Sequence, residues 1–245
     1  MKIKKMSYPL IFERNLGAIT FEEQMKLKNA PVAIIGLGGI GGIAFEMLAR
    51  AGVGNFILID NDKFEISNLN RQTLSSVKNL GKRKSEIASE VGKEINPEIK
   101  IKKYCTEFNE KNSSILKNVD VIVDGLDNLT SRIILSRVAR KLKIPYVFGA
   151  AEYSKGISTV FLPREKTYEN IFARSVTEKK LTPDLKKKLA EYQRCQSVLG
   201  VVPNMIGCFE AMQAVNLILK KPIVKYPEFL HVDMFSKNPV KIGKI

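Results

Sequence analysis

The sequence predicts an α/β fold: a mostly parallel sheet with helices on both faces, extended by antiparallel strands at its C-terminal end. Three observations carry this. Short apolar runs alternate with helical patterns between residues 32 and 149. The first run breaks into a glycine-rich turn that opens a helix. Beyond residue 157 the alternation stops, and the chain closes on two short strands, 230–234 and 240–242.

At 245 residues the chain can bury a sizeable core as one large domain. Its 44% hydrophobic and 27% charged content is ordinary for a globular protein. No apolar run approaches the ~20 residues of a membrane span. The N-terminus is basic without an apolar core, so no signal peptide is expected. Three cysteines, Cys105, Cys195 and Cys208, lack any C-x-x-C spacing and suggest no disulfide framework. A cytoplasmic protein without membrane partners is the expectation. The net charge of +15 suits a nucleic acid, an acidic protein or a triphosphate. The basic residues are spread along the chain, with one cluster at Lys186–Lys188, so solvated lysine-rich faces are the favoured reading and nucleic acid is not.

In order, residues 1–19 hold little periodicity and read as an arm that includes Arg14. Thr20, with Glu23 three residues on, caps a helix over 21–28. Apolar 32–35 is a strand. Gly36, Gly38 and Gly41 then fit G-x-G-x-x-G ahead of a helix, and a second strand, 56–59, ends in Asp60. Strand, glycine turn, helix, strand and acid make a Rossmann-like nucleotide-binding βαβ unit. Amides at that helix N-terminus can face a phosphate, and Asp60 can accept ribose hydroxyls. Residues 81–95 read as a basic amphipathic helix with Ile87, Ala88, Val91 and Ile95 on one face. Asn96-Pro97 stops it. A strand over 99–104, a helix over 109–117, a strand over 119–123, a helix over 129–143 and a strand over 146–149 follow. Then come a strand over 157–162, a polar, basic stretch over 163–194 with a helix at 183–192, and an apolar helix over 201–219. Asn204, Glu210 and Gln213 make that helix too polar for a membrane span.

The groups that carry chemistry gather at strand ends. They are the glycines after the first strand, Asp60, Asp62, Asn68 and Arg71 after the second, Lys84 at the next helix, and Asp124, Asp127 and Asn128 after the fourth. A dinucleotide site needs no cations around its pyrophosphate and no carboxylate aimed at it. A triphosphate needs both. Arg71 and Lys84 can neutralise phosphate oxygens, and Asp127 can hold Mg²⁺. No P-loop motif is present. Taken singly, these residues also have plain structural uses: solvated charges, an Asx turn at Asn68, a helix cap at Asp127.

Seven segments, Glu13–Asn15, GLGGIG at 36–41, AGVGN at 51–55, LID at 58–60, SNLNRQ at 67–72, GKRK at 81–84 and DGLDN at 124–128, resemble the ThiF/MoeB/HesA family, relatives of ubiquitin-activating enzymes. The likeness runs from about Arg14 to the C-terminus. It implies ATP-dependent adenylation of the C-terminal glycine of a small ubiquitin-fold sulfur-carrier or modifier protein. It divides the chain into an arm and helix over 1–29, a nucleotide-binding half over 30–150 and a carrier-binding half over 151–245. By the same resemblance Gly39 lies over the nucleotide. Ser67 belongs to the matching segment, and Asn68, Arg71 and Lys84 contact phosphates. Asp127 binds Mg²⁺ with Asn128 beside it. Arg14 reaches the triphosphate from the second subunit of a homodimer.

The chain departs from the family where two C-x-x-C pairs would hold zinc: none is present, so no zinc is expected. Cys195 precedes SVLGVVPNMIG, where some members carry a thioester-forming cysteine; an inert thiol is the alternative. Cys105 and Cys208 are expected to be structural. Competing functions are a tRNA-nucleoside carboxylate cyclase, a NAD-dependent oxidoreductase and a non-catalytic binding partner.

Overall fold

The computed structural model describes residues 7–191 and 197–244. Eight strands form one sheet: β1 Pro31–Ile35, β2 Asn55–Ile59, β3 Lys100–Tyr104, β4 Val121–Asp124, β5 Tyr146–Glu152, β6 Lys155–Phe161, β7 Glu228–Asp233 and β8 Val240–Lys244. Their order is β3-β2-β1-β4-β5-β6-β7-β8. The strands from β3 to β5 run parallel, and those from β5 to β8 pair antiparallel. The helices are α1 Tyr8–Ile11, α2 Phe21–Asn29, α3 Gly41–Ala51, α4 Lys84–Ile95, α5 Leu129–Leu142, α6 Tyr168–Phe172, α7 Pro183–Glu191 and α8 Val201–Leu219.

Alternation along each strand sorts the core into two layers. Val32, Ile34, Val121 and Val123 pack with residues of α3, α4 and α8. Ala33, Ile35 and Ile122 pack with α5, α6 and α7. The chain winds from β1 toward β2 on one side, then returns to place β4 on the other side of β1. That reversal opens a crevice at the carboxyl ends of β1 and β4, where open α/β sheets take their ligands.

Several elements follow from local chemistry. The capping box of Thr20 and Glu23 starts α2. Gly52, at φ +98°, ends α3. Against the expectation that its polar residues make it too polar to span a membrane, α8 is long and apolar enough by composition to do so. Here it is a core helix that packs on α3, β5 and β6, with Glu210 and Gln213 fully buried. A Cβ on Gly207 would sit 2.4 Å from Ile40 O, so α8 and the start of α3 approach as only glycine allows.

Several differences from the sequence reading have physical causes. The helix expected from residue 81 begins at Lys84, because Gly81 holds φ +78° and Arg83 is extended. Residues 110–116 form a 3₁₀-helix capped by Asn109. β5 runs on to Glu152 because it makes a tight hairpin with β6, pairing Glu152 with Lys155. From Tyr8 on, the chain is docked rather than a free arm: Tyr8 is buried and its hydroxyl donates to Gly52 O at 2.5 Å. The basic stretch after β6 packs on α5 through Tyr168, Val176, Leu181 and Leu189. It is pinned by buried Glu169 pairing with Arg137 at 2.6 Å. α6, within it, had no counterpart in the sequence reading.

Candidate active site

The glycine turn divides into two kinds of position. A Cβ on Gly36 would lie 2.4 Å from Gly125 O, and one on Gly41 would lie 2.0 Å from Gly36 O. These two let the turn close onto the loop after β4. Gly38 and Gly39 are looser: built Cβ atoms meet Gln72 Nε2 at 3.7 Å and Pro203 Cβ at 3.3 Å. A side chain at Gly39 would press on Pro203 and Arg71, whereas Gly38 has room for a Cβ.

Asp60, at the end of β2, is 8% exposed. Its Oδ2 accepts from Leu37 N and its Oδ1 from Asp62 N, each at 2.7 Å. Burial raises its pKa, opposed by Lys84 and the two backbone N–H groups. A carboxylate has about four lone-pair sites. Two of them are used here.

Lys84, at the start of α4, is buried, and its ammonium lies 3.0 Å from Asp62 Oδ2. Asp62 therefore acts first as the partner that holds Lys84, and one ammonium carries three donors. Arg71 Nη1 donates to Ser67 O at 2.7 Å and Asn70 Oδ1 at 2.9 Å, both neutral acceptors. The segment is stapled to α8: Asn204 Nδ2 donates to Arg71 O at 2.9 Å, and a Cβ on Gly200 would meet Asn70 O at 2.1 Å. Asn68 is buried and spends its Oδ1 on Glu65 N at 3.0 Å. This is the back-bond of a capping box on the 66–68 turn rather than an Asx turn, and the amide nitrogen faces Ser67 Oγ at 3.5 Å. Ser67 is exposed beside it.

After β4, Asn128 rather than Asp127 caps α5, accepting from Ser131 N at 2.8 Å. Asp127 is left exposed at the crevice. A single free carboxylate fits Mg²⁺, which takes most of its oxygens from phosphate and water. Among the described residues no group of three or more His, Cys, Asp or Glu gathers as a metal site.

Arg14 is not brought to this crevice. It lies in the 3₁₀ turn Glu13–Asn15, and Asn15 Nδ2 donates to Ala51 O at 3.1 Å, at the far end of α3. The axis of α3 from Gly41 to Ala51 measures about 16 Å, beyond the reach of an arginine. Cys195 lies outside the described residues. Cys105 and Cys208, expected to be structural, are both exposed. Partial burial still pushes the Cys208 thiol up, and Cys105 Sγ lies 3.1 Å from Ser85 Oγ.

Sequence reasoning missed a buried network beside the site. Asp124, with no exposed surface, accepts from Leu126 N at 2.8 Å and from the Tyr146 hydroxyl, and lies 3.3 Å from Arg132 Nε. Burial raises the Asp124 pKa, opposed by Arg132, Tyr146 and Leu126. Arg132 is one of several basic residues along α5, and no local pattern sets it apart.

The family model described as ThiF family matches residues 12–244. The chain is 33% identical over 91% of its length to a molybdopterin-synthase adenylyltransferase of Haemophilus influenzae, covering 88% of that protein. It is 32% identical over 81% of its length to the SAMP-activating enzyme E1 of Haloferax volcanii, covering 70% of it. It also resembles E. coli MccB solved with ATP, with a TM-score of 0.73 and 26% identity, over 91% of this chain and 65% of that one. By the extent of the family match and by these relatives, the chain belongs to the ThiF family, as an enzyme of the adenylyltransferase class.

Proposed function

We propose that the chain transfers AMP from ATP to the C-terminal carboxylate of a small ubiquitin-fold sulfur-carrier or modifier protein. A carboxylate oxygen attacks the α-phosphorus, the bond to the β-phosphate bridging oxygen breaks, and pyrophosphate leaves. The observation that carries this is the crevice itself, where a bare glycine turn, a half-satisfied Asp60, Arg71, Lys84 and exposed Asp127 converge at successive strand ends. Asp60 would hold the ribose, and the Asn68 amide, Arg71 and Lys84 the phosphates, screening the charge that repels an incoming carboxylate. Asp127 would hold Mg²⁺, whose contribution when bound is to neutralise phosphate oxygens. The names of the Haemophilus and Haloferax relatives, and the ATP bound by MccB, support the reading. It favours ATP over NAD, because the cations and Asp127 have no task beside a dinucleotide.

The remote Arg14 fits a homodimer in which each subunit completes the other's site. Mixing an Arg14→Ala chain with an Arg71→Ala chain would then restore part of the activity, since one site of the heterodimer is whole. A later thioester on Cys195, the absence of zinc and a cytoplasmic setting belong to the same reading. The Cys195 step is tested by Cys195→Ser, which should keep pyrophosphate exchange and lose a reductant-sensitive adduct with the carrier. Zinc is tested by metal analysis of the purified protein. The whole is tested by ATP–pyrophosphate exchange in the presence of ubiquitin-fold proteins from the same genome. Exchange with none of them, or calorimetry showing tight NAD binding and no ATP-Mg²⁺ binding, would overturn it.

A further inference from the structure

The buried network beneath the loop after β4 has a specific relation to Asp127. Arg132 reaches back from the first turn of α5. Its Nη2 donates to Leu126 O and, at 2.9 Å, to Gly149 O on β5. Its Nε lies 3.3 Å from Asp124 Oδ2. Asp124 in turn accepts from Leu126 N at 2.8 Å and from the Tyr146 hydroxyl. Leu126 is thereby gripped at both ends, its N–H by Asp124 and its C=O by Arg132. The Leu126 carbonyl and the Asp127 N–H belong to one planar peptide unit. Whatever fixes the carbonyl fixes the plane from which Asp127 departs. On the other flank Asn128 is locked as the cap of α5 by Ser131 N. Gly125 leaves no slack, because a Cβ there would lie 2.2 Å from Gly36 O of the nucleotide turn.

The exposed Asp127 is therefore presented by a loop whose neighbours on both sides are held. The guanidinium that does this is itself immobilised, with its carbon 5.1 Å above the Phe148 ring and its side chain only 12% exposed. A buried arginine fork spanning two carbonyls and a carboxylate is more than helix packing needs. A lysine there would keep the charge without the fork.

We propose that Arg132, through Leu126 and with Asp124 and Tyr146 as its support, is a positioning residue that aims the Asp127 carboxylate at the cation accompanying the nucleotide. The proposal rests on the reading of Asp127 as the Mg²⁺ ligand, and its test separates the two. Calorimetry of a non-hydrolysable ATP analogue, titrated at a series of Mg²⁺ concentrations, gives the Mg²⁺ midpoint for nucleotide binding without any turnover. Wild type, Arg132→Lys, Tyr146→Phe and Asp127→Asn are compared, each with its thermal midpoint.

Arg132→Lys should raise the Mg²⁺ midpoint by about tenfold or more, as losses of outer-shell support to metal ligands do. Metal-free binding of the analogue should stay unchanged. Tyr146→Phe keeps the ring and removes one donor to Asp124, and should move the midpoint the same way by about threefold. If Arg132→Lys fails to fold, Tyr146→Phe decides. A purely structural role would lower the thermal midpoints and leave the Mg²⁺ midpoint where it is; with Asp127→Asn shifting it, that result overturns the clamp alone. If Asp127→Asn leaves the Mg²⁺ midpoint unmoved, the assignment of Asp127 fails, and the clamp with it.

Discussion

Two turns on the same edge of the sheet begin alike and end with opposite uses. Asp60 closes β2 and Asp124 closes β4, and each accepts from the backbone N–H two residues on, Asp62 and Leu126. Each is buried, and burial raises the pKa of each. Around Asp60 the second oxygen meets one more backbone N–H, and the nearest cation, Lys84, is paired with Asp62 instead. Around Asp124 the second oxygen meets a tyrosine hydroxyl and a guanidinium, and no surface is left. The comparison teaches that partners, not position, decide the role. A strand-end carboxylate with spare lone pairs toward a crevice can bind. The same group filled by fixed donors becomes part of the frame.

The largest way to break this comparison is Asp124→Ala. It leaves Arg132 buried without its counter-charge, and should cost about 3–5 kcal/mol in denaturant unfolding. A loss under about 1 kcal/mol, the scale of an ordinary substitution, would mean that water already reaches the pair. Asp60→Asn should cost less of the fold and more of the affinity. It keeps one acceptor for the turn but sets an amide NH₂ against the other backbone N–H, so it should cost about 1–3 kcal/mol, and it should weaken ATP binding by about tenfold or more, the worth of a charged hydrogen bond. Equal loss of fold and affinity would merge the two turns into one class.

Glu210 sharpens the contrast, because it is another buried carboxyl and, among the described residues, neither of its oxygens has a hydrogen-bond partner. Burial, with Asp124 adding to it and Arg132 opposing, pushes its pKa well above 4.5. The folded state keeps this proton after the unfolded chain has lost it. Stability should therefore fall as pH rises from near 4.5 through the raised folded value, and level off beyond it. Glu210→Gln removes the titration, so its advantage over wild type should grow as pH rises through that window. Parallel curves in thermal unfolding would count against a buried, protonated Glu210. The smallest effect is expected at the end of the second turn: Asn128→Ala removes the α5 cap and should cost about 1 kcal/mol.

Much of the site could be read along the chain because its parts are local. The glycine turn, the acid at the end of β2 and, to within three residues, the helix that starts at Lys84 declare themselves within a short window of apolar period and turn chemistry. Asn128 was harder. Both Asp127 and Asn128 are good caps by type, and only backbone geometry selects Asn128. The docked N-terminus was illegible because Tyr8 finds its partners at Gln24 and Gly52, and no period links them.

The sequence by itself determined most of the elements, α6 excepted, their parallel-then-antiparallel sense and the edge of the sheet where the candidate site lies. These depend on spacing within one element and on the handedness of its crossover. Only the tertiary structure decided which of two matching carboxylates is spare, that Arg132 reaches back to Leu126 and Gly149, and that Arg14 sits a helix length away from its own glycine turn. The reason is the return of β4 to the far side of β1. It sets residues distant in sequence within hydrogen-bond distance, and no local pattern records which of them will meet.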